Sequence, residues 1–139
     1  VRRATDLASL EGARLHLVTA YHAPQIVQET TVWTNEPKGL MDTGRTGPRP
    51  ETVNLREVAE SVLKRAERVA LSKGVDVETH AREGQPADVI IEIANQKQAD
   101  LIVVGSRGLT GIQRYLMGSV SSKVSEHASC SVMIVRADQ

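Results

Sequence analysis

Phenylalanine is absent from this 139-residue chain, and Trp33, Tyr21 and Tyr115 are its only aromatic residues. So few rings cannot build the stacked platforms that hold single-stranded nucleic acid. Seventeen lysines and arginines balance seventeen aspartates and glutamates. That balance supplies neither the basic stripe of a nucleic-acid-binding domain nor a polybasic membrane patch. A single cysteine, Cys130, excludes an intrachain disulfide and fits a reducing compartment, so the expected location is the cytoplasm. No apolar run approaches the roughly 18 residues of a membrane span. The chain opens at Val1-Arg2-Arg3-Ala4, without methionine and within a helical pattern, which leaves a cleaved targeting segment open.

Several catalytic signatures are missing as well. There is no G-x-x-x-x-G-K-[ST], and with it go the lysine and metal-binding hydroxyl of a P-loop nucleotidase. Neither a nucleophile elbow nor an acid/base carboxylate pair occurs. His16, His22, His80 and His127 have no metal-ligand spacing along the chain, so surface or strand-packing roles are expected and no metal site is assigned. Cys130 has no motif partner and reads as a small buried residue before the last strand. No catalytic residue is assigned, and an efficient hydrolase is not expected.

What is present is an alternation of helical and extended periods. Residues 1–11 read as the end of a helix, with Ala4, Leu7, Ala8 and Leu10 apolar and Gly12 past its exit. Arg14 to Tyr21 reads as a strand with Leu15, Leu17 and Val18 in the core. Residues 22–50 hold no sustained period and several prolines and glycines, as in a long irregular loop. Leu55, Val58, Ala59, Val62, Leu63, Ala66, Val69 and Ala70 then recur at three- and four-residue steps of a helix. Asn54 with Glu57 forms a capping-box pattern at its start, and Lys73-Gly74 marks its end.

Residues 75–82 alternate polar and apolar, as a sheet-edge strand does, and Pro86 opens a helix bearing Ala87, Ile90, Ile91 and Ala94 on one face. Leu101-Ile102-Val103-Val104 is apolar without alternation, the pattern of a parallel strand covered on both faces. A helix near Ser119 to Ala128 leads to a last strand at 132–136. Such an order predicts one α/β domain over residues 1–139, with right-handed βαβ crossovers and a doubly wound, Rossmann-like parallel sheet.

The strand 101–104 runs directly into Gly105-Ser106-Arg107-Gly108, and nine residues later comes Gly118-Ser119-Val120-Ser121. Glycine lets the backbone approach an anion without a Cβ in the way, while the free N–H groups and dipole of a helix start favour negative charge. Ser119 and Ser121 add hydroxyls there, and Arg107 is either a charge-assisted phosphate donor or a solvated loop cation. The bland alternative is that Gly105 and Gly108 serve a tight turn and Gly118 close helix packing.

The pattern G-x-x-G-x9-G-S-V-S, followed by the strand Val132-Met133-Ile134-Val135, resembles the universal stress protein family and specifically its ATP-binding branch. Weaker resemblance reaches from Gly12 to the C-terminus, though residues 22–50 carry little of it. It implies an adenine nucleotide, ATP with accompanying Mg2+, lined by Val104, Gly105, Arg107, Gly108, Gly118, Ser119, Val120 and Ser121. Ala20, at the end of the first readable strand, would form part of the adenine wall. Tyr115 and Leu116 are expected to pack a short helix against the sheet.

The family's sheet has five parallel strands in the order 3-2-1-4-5, whereas four are readable here, the first and central one being absent. The expectation is therefore that this strand, and the aspartate that follows it in the family, lies upstream of the sequence or comes from another chain. The resemblance further implies a homodimer through the edge strand 132–136, with Val132 and Ile134 at the interface. The functional expectation is a nucleotide-dependent stress-response signal. Its rivals are a nucleotide-independent dimeric interaction module and an adenylating enzyme whose second substrate would meet segment 22–50.

Overall fold

A computed structural model describes residues 1–22, 54–106 and 118–136. Along the chain these form α1 (Arg2–Glu11), β1 (Leu15–Tyr21), α2 (Leu55–Ser72), β2 (Val77–Glu83), α3 (Pro86–Gln96), β3 (Leu101–Gly105), α4 (Ser119–His127) and β4 (Ser131–Val135). Segment 23–53, which includes most of the expected loop, lies outside the described residues, as do Arg107, Gly108, Tyr115 and Leu116.

Local chemistry explains the element ends. Gly12 exits α1 at φ 61° and Gly74 follows α2 at φ 70°, a left-handed conformation that costs a residue with a Cβ. Asn54 caps α2 through its side-chain oxygen, which accepts from the backbone N–H groups of Arg56 at 3.1 Å and Glu57 at 3.4 Å. The reciprocal half of the capping box differs from expectation. Glu57 accepts from the Asn54 side-chain amide at 3.1 Å, a partner that a serine or threonine cap does not offer. Pro86 occupies the first turn of α3, where its missing N–H would have had no helical partner.

The strands pair in parallel as two ribbons, β1 with β2 and β3 with β4. Leu15 is opposite Val77 and Leu17 opposite Thr79 in the first; Leu101 is opposite Ser131 and Ile102 opposite Val132 in the second. Alternation then sorts the side chains by face. Leu17 packs with Leu63 and Ala66 of α2, and Leu15, Val77 and Ala81 close around them. His16, Val18, Glu78 and His80 take the opposite face. On that side Lys97, at the exit of α3, reaches the Glu78 carboxylate at 2.7 Å. A second core joins Ala87, Ala94, Ile102 and Val124, with Val104, Val120 and Val132 packed against it.

β1 and β3 are not hydrogen-bonded to each other. A cleft of about 1020 Å³ lies between them, walled by Leu15–Val18 on one side and Leu101–Gly105 on the other, with Ile90, Ile93 and Ala94 of α3 beneath. The α/β arrangement is thus present as two parallel ribbons with helices packed on them, separated by a cleft that Arg14, Glu78 and Lys97 line together with the apolar residues. No helix among the described residues is long and apolar enough to cross a membrane.

Burial selects among the apolar residues of each helix. Leu10 is 83% exposed, because α1 turns it away from the face that buries Thr5 and Ala8. On α2 the buried line is Ala59, Leu63, Ala66 and Ala70, while Val58 and Val62 on its flank are about half exposed, at 49% and 53%. Three small residues on that line let the helix approach the ribbon closely, leaving the flanking valines beyond its reach. Cys130 is only partly buried, at the rim of the second core. Truncation of Leu63 to alanine, from a site 5% exposed, should cost roughly 2–5 kcal/mol.

Candidate functional site

The carboxyl end of β3 and the amino end of α4 meet through the backbone. Ser106 N–H donates to the Val135 carbonyl at 2.8 Å, extending the β3–β4 ladder by one step. Gly118 N–H in turn donates to the Ser106 carbonyl at 3.0 Å. The first helical residue of α4, Ser119, therefore starts beside the strand end that carries Gly105. Ala20 lies near the carboxyl end of β1, opposite Arg82 of β2, on the ribbon that is not hydrogen-bonded to β3.

Gly118 is the N-cap of α4, and no side chain caps the helix. The first turn of a helix leaves N–H groups without internal acceptors, with the positive end of the dipole behind them. Here those donors are at the end of a parallel strand, the usual position of ligands in open α/β sheets. Gly118 has φ −61° and ψ 154°, a conformation open to every residue. The backbone therefore does not require glycine at this position. What glycine supplies is the absence of a side chain over the helix start.

The two serines differ in role. Ser119 is exposed at the helix start. Ser121 is 1% exposed and its hydroxyl donates to the Gly118 carbonyl at 3.0 Å, bracing the first turn from within. Val104 and Val120 are half-buried and pack against the second core. The structure thus brings Val104, Gly105, Gly118, Ser119, Val120 and Ser121 to one junction. Arg107 and Gly108 lie outside the described residues.

On the expected dimer edge, the side chain of Val132 packs inward against the α3–α4 core. Met133, on the alternate face of β4, is 41% exposed and presents the apolar surface instead. β4 pairs with β3 on one side, and no strand among the described residues pairs with its other side.

Reading ligand spacing along the sequence missed one cluster. His16 Nδ1 and His80 Nε2 are 3.1 Å apart, although the residues are 64 positions apart in the chain, and the Glu78 carboxylate adjoins both rings. Only the β1–β2 register brings them together, so no short-range motif marks them. Once two parallel strands are aligned, His16 opposite Glu78 with His80 two residues further on is the available signal.

Comparison with known proteins places this geometry among relatives. The family model described as "Universal stress protein family" matches residues 1–136. Universal stress protein MJ0531 of Methanocaldococcus jannaschii is 43% identical over 82 residues, which is 59% of this chain and 48% of that protein. Universal stress protein YxiE of Bacillus subtilis is 47% identical over 75 residues, 54% of this chain and 51% of that one. The chain thus spans about half the length of the curated relatives it matches. A crystal structure of a universal stress protein in complex with cAMP superposes with TM-score 0.64 at 27% identity, covering 96% of this chain and 82% of its own.

Proposed function

Because the chain belongs to the universal stress protein family, we propose that it binds an adenine nucleotide at the β3–α4 junction, with ATP as the physiological ligand and occupancy serving as a regulatory signal. The observation that carries this reading is the uncapped start of α4, tied to the end of β3 by the Gly118–Ser106 hydrogen bond. Free N–H donors, a positive dipole end and a residue without a Cβ together suit a phosphate. The relative that binds cAMP supports adenine as the base.

In this reading Gly105, Gly118, Ser119 and Val120 line the phosphates and ribose, and Ser121 holds the helix start in shape. Ala20 contributes to the adenine wall, and Arg107 and Gly108 complete the glycine-rich segment. Mg2+ accompanies the phosphates of ATP. The protein acts by binding, with ATP hydrolysis slow or absent, and works in the cytoplasm. Denaturing the purified protein and identifying released small molecules by mass spectrometry tests the reading. An adenine nucleotide near one per chain supports it, and nucleotide-free protein that also fails to bind added ATP rejects it.

A second reading rests on the edge of β4, where exposed Met133 adjoins a side with no described partner strand. There the molecule is a homodimer joined edge to edge through strand β4. Such an interface is compatible with nucleotide binding. If ATP fails to bind, it stands alone as a nucleotide-independent interaction module.

A further inference from the structure

Two imidazoles and one carboxylate converge on the face of the β1–β2 ribbon turned away from α2. His16 comes from β1, and Glu78 and His80 from β2. His16 Nδ1 is 3.1 Å from His80 Nε2 and 3.6 Å from one Glu78 oxygen, and His80 Nε2 is 3.7 Å from the other. Ligands held at about 2.0–2.2 Å in a tetrahedron lie roughly 3.3–3.6 Å from one another. The ring-to-ring spacing lies just below that range and the two ring-to-carboxylate spacings, made to different oxygens of Glu78, lie at its upper edge, so an ion is held once the Glu78 carboxylate turns one oxygen toward both rings.

We propose that His16, Glu78 and His80 form a binding site for a late first-row divalent cation, Zn2+ in the first instance, built on the β1–β2 ribbon. The donor set selects this class. Imidazole nitrogen favours zinc and its neighbours, whereas Mg2+ and Ca2+ take oxygen ligands. Three protein ligands leave the fourth position to water or to an exogenous group.

The supports are rigid. All three side chains spring from strands in register, where backbone hydrogen bonds fix the Cα positions. His80 is 7% exposed, so the packing around it holds its ring in place. His16 and Glu78 are more open than His80. His16 also belongs to the amino-terminal half of β1, whereas the β3–α4 junction lies at the carboxyl ends of the strands. The two sites are therefore separate, and the cation site does not depend on nucleotide binding.

Lys97 opposes the cation. Its ammonium lies 2.7 Å from a Glu78 oxygen and occupies part of the carboxylate that a metal would take. Binding of Zn2+ must displace this ion pair, and removal of the lysine charge should strengthen binding. The competing account is a neutral hydrogen bond between the two rings, one nitrogen donating and the other accepting, with no metal involved.

The test is titration of Zn2+, and of Co2+ as a spectroscopic probe, into the full chain after chelator treatment and with nucleotide absent. The proposal expects one Zn2+ per chain and visible Co2+ absorption of a tetrahedral site that added ATP does not abolish. His16→Gln and His80→Gln should each weaken Zn2+ binding at least tenfold, and Lys97→Met should tighten it. His16 is the decisive position if the buried His80 variant does not fold. Absence of stoichiometric Zn2+ binding, or binding that His16→Gln leaves unchanged, would overturn the proposal and leave the ring-to-ring hydrogen bond as the whole account.

Discussion

Ser106 and Gly118 are joined by a backbone hydrogen bond of 3.0 Å, so the end of β3 and the start of α4 meet at one corner. Gly118 has an ordinary φ of −61°, so what a glycine contributes there is the space a side chain would fill. Gly118→Ser separates capping from ligand access. A serine hydroxyl at the N-cap accepts from the N–H groups of the first turn and should raise stability by a few tenths of a kcal/mol. Those same donors would then be occupied, and ATP affinity should fall at least tenfold, about 1.4 kcal/mol. Thermal melts and calorimetric titration read the two effects separately. A variant that binds ATP as well as the parent would remove the phosphate from this corner.

The cleft between β1 and β3 makes a different prediction. In a parallel strand, successive residues direct their N–H groups to opposite edges, so a strand paired on one side protects alternate amides only. β3 pairs with β4 on its outer edge, and its inner edge faces the cleft. If a further parallel strand fills that cleft in the native protein, hydrogen exchange should be slow at every amide from Leu101 to Val104. An alternating fast and slow pattern would show that the inner edge is open.

Gln98 follows α3 with φ 51°, the one non-glycine residue among those described with a positive φ. The Ala99 N–H closes the turn onto the Ala94 carbonyl at 2.9 Å, which holds Gln98 in this left-handed conformation. Glycine relieves the steric cost there but increases the freedom of the unfolded chain. The net expectation for Gln98→Gly is a gain of up to about 1 kcal/mol in chemical denaturation. A loss of stability would mean that the glutamine side chain makes a compensating contact.

Met133 is 41% exposed on the outer strand of its ribbon, whereas Val132 is turned into the core. An edge-to-edge dimer through β4 would put the two copies of Met133 near one another, and Met133→Lys would set like charges there. Light scattering should show a dimer for the parent and a shift toward monomer for the variant, with the melt little changed. A monomeric parent at micromolar concentration would contradict the dimer without touching the nucleotide reading. Val132→Lys, by contrast, should unfold the second core.

Much of the architecture was legible in short-range pattern. The three- and four-residue steps of α2, the Asn54 cap, Pro86 at the start of α3 and the glycines after α1 and α2 each act within one or two turns of chain, where sequence neighbours are spatial neighbours. The β3–α4 junction was legible for the same reason, since its glycines flank a strand and a helix start. What escaped depended on register and on the distance between elements. His16 and His80 meet only because two strands 64 positions apart align in parallel. The exposure of Val58 and Val62 follows from how closely α2 approaches its ribbon, and periodicity along a helix does not encode that distance. Likewise the inward turn of Val132 depends on which face of β4 the helices cover.

Calorimetric titration of ATP into nucleotide-stripped full chain tests the central claim most directly, because it asks whether the open start of α4 is a phosphate site. Binding of one ATP per chain, weakened at least tenfold by Gly118→Ser, is the predicted result. No binding at millimolar ATP by a folded protein would contradict it.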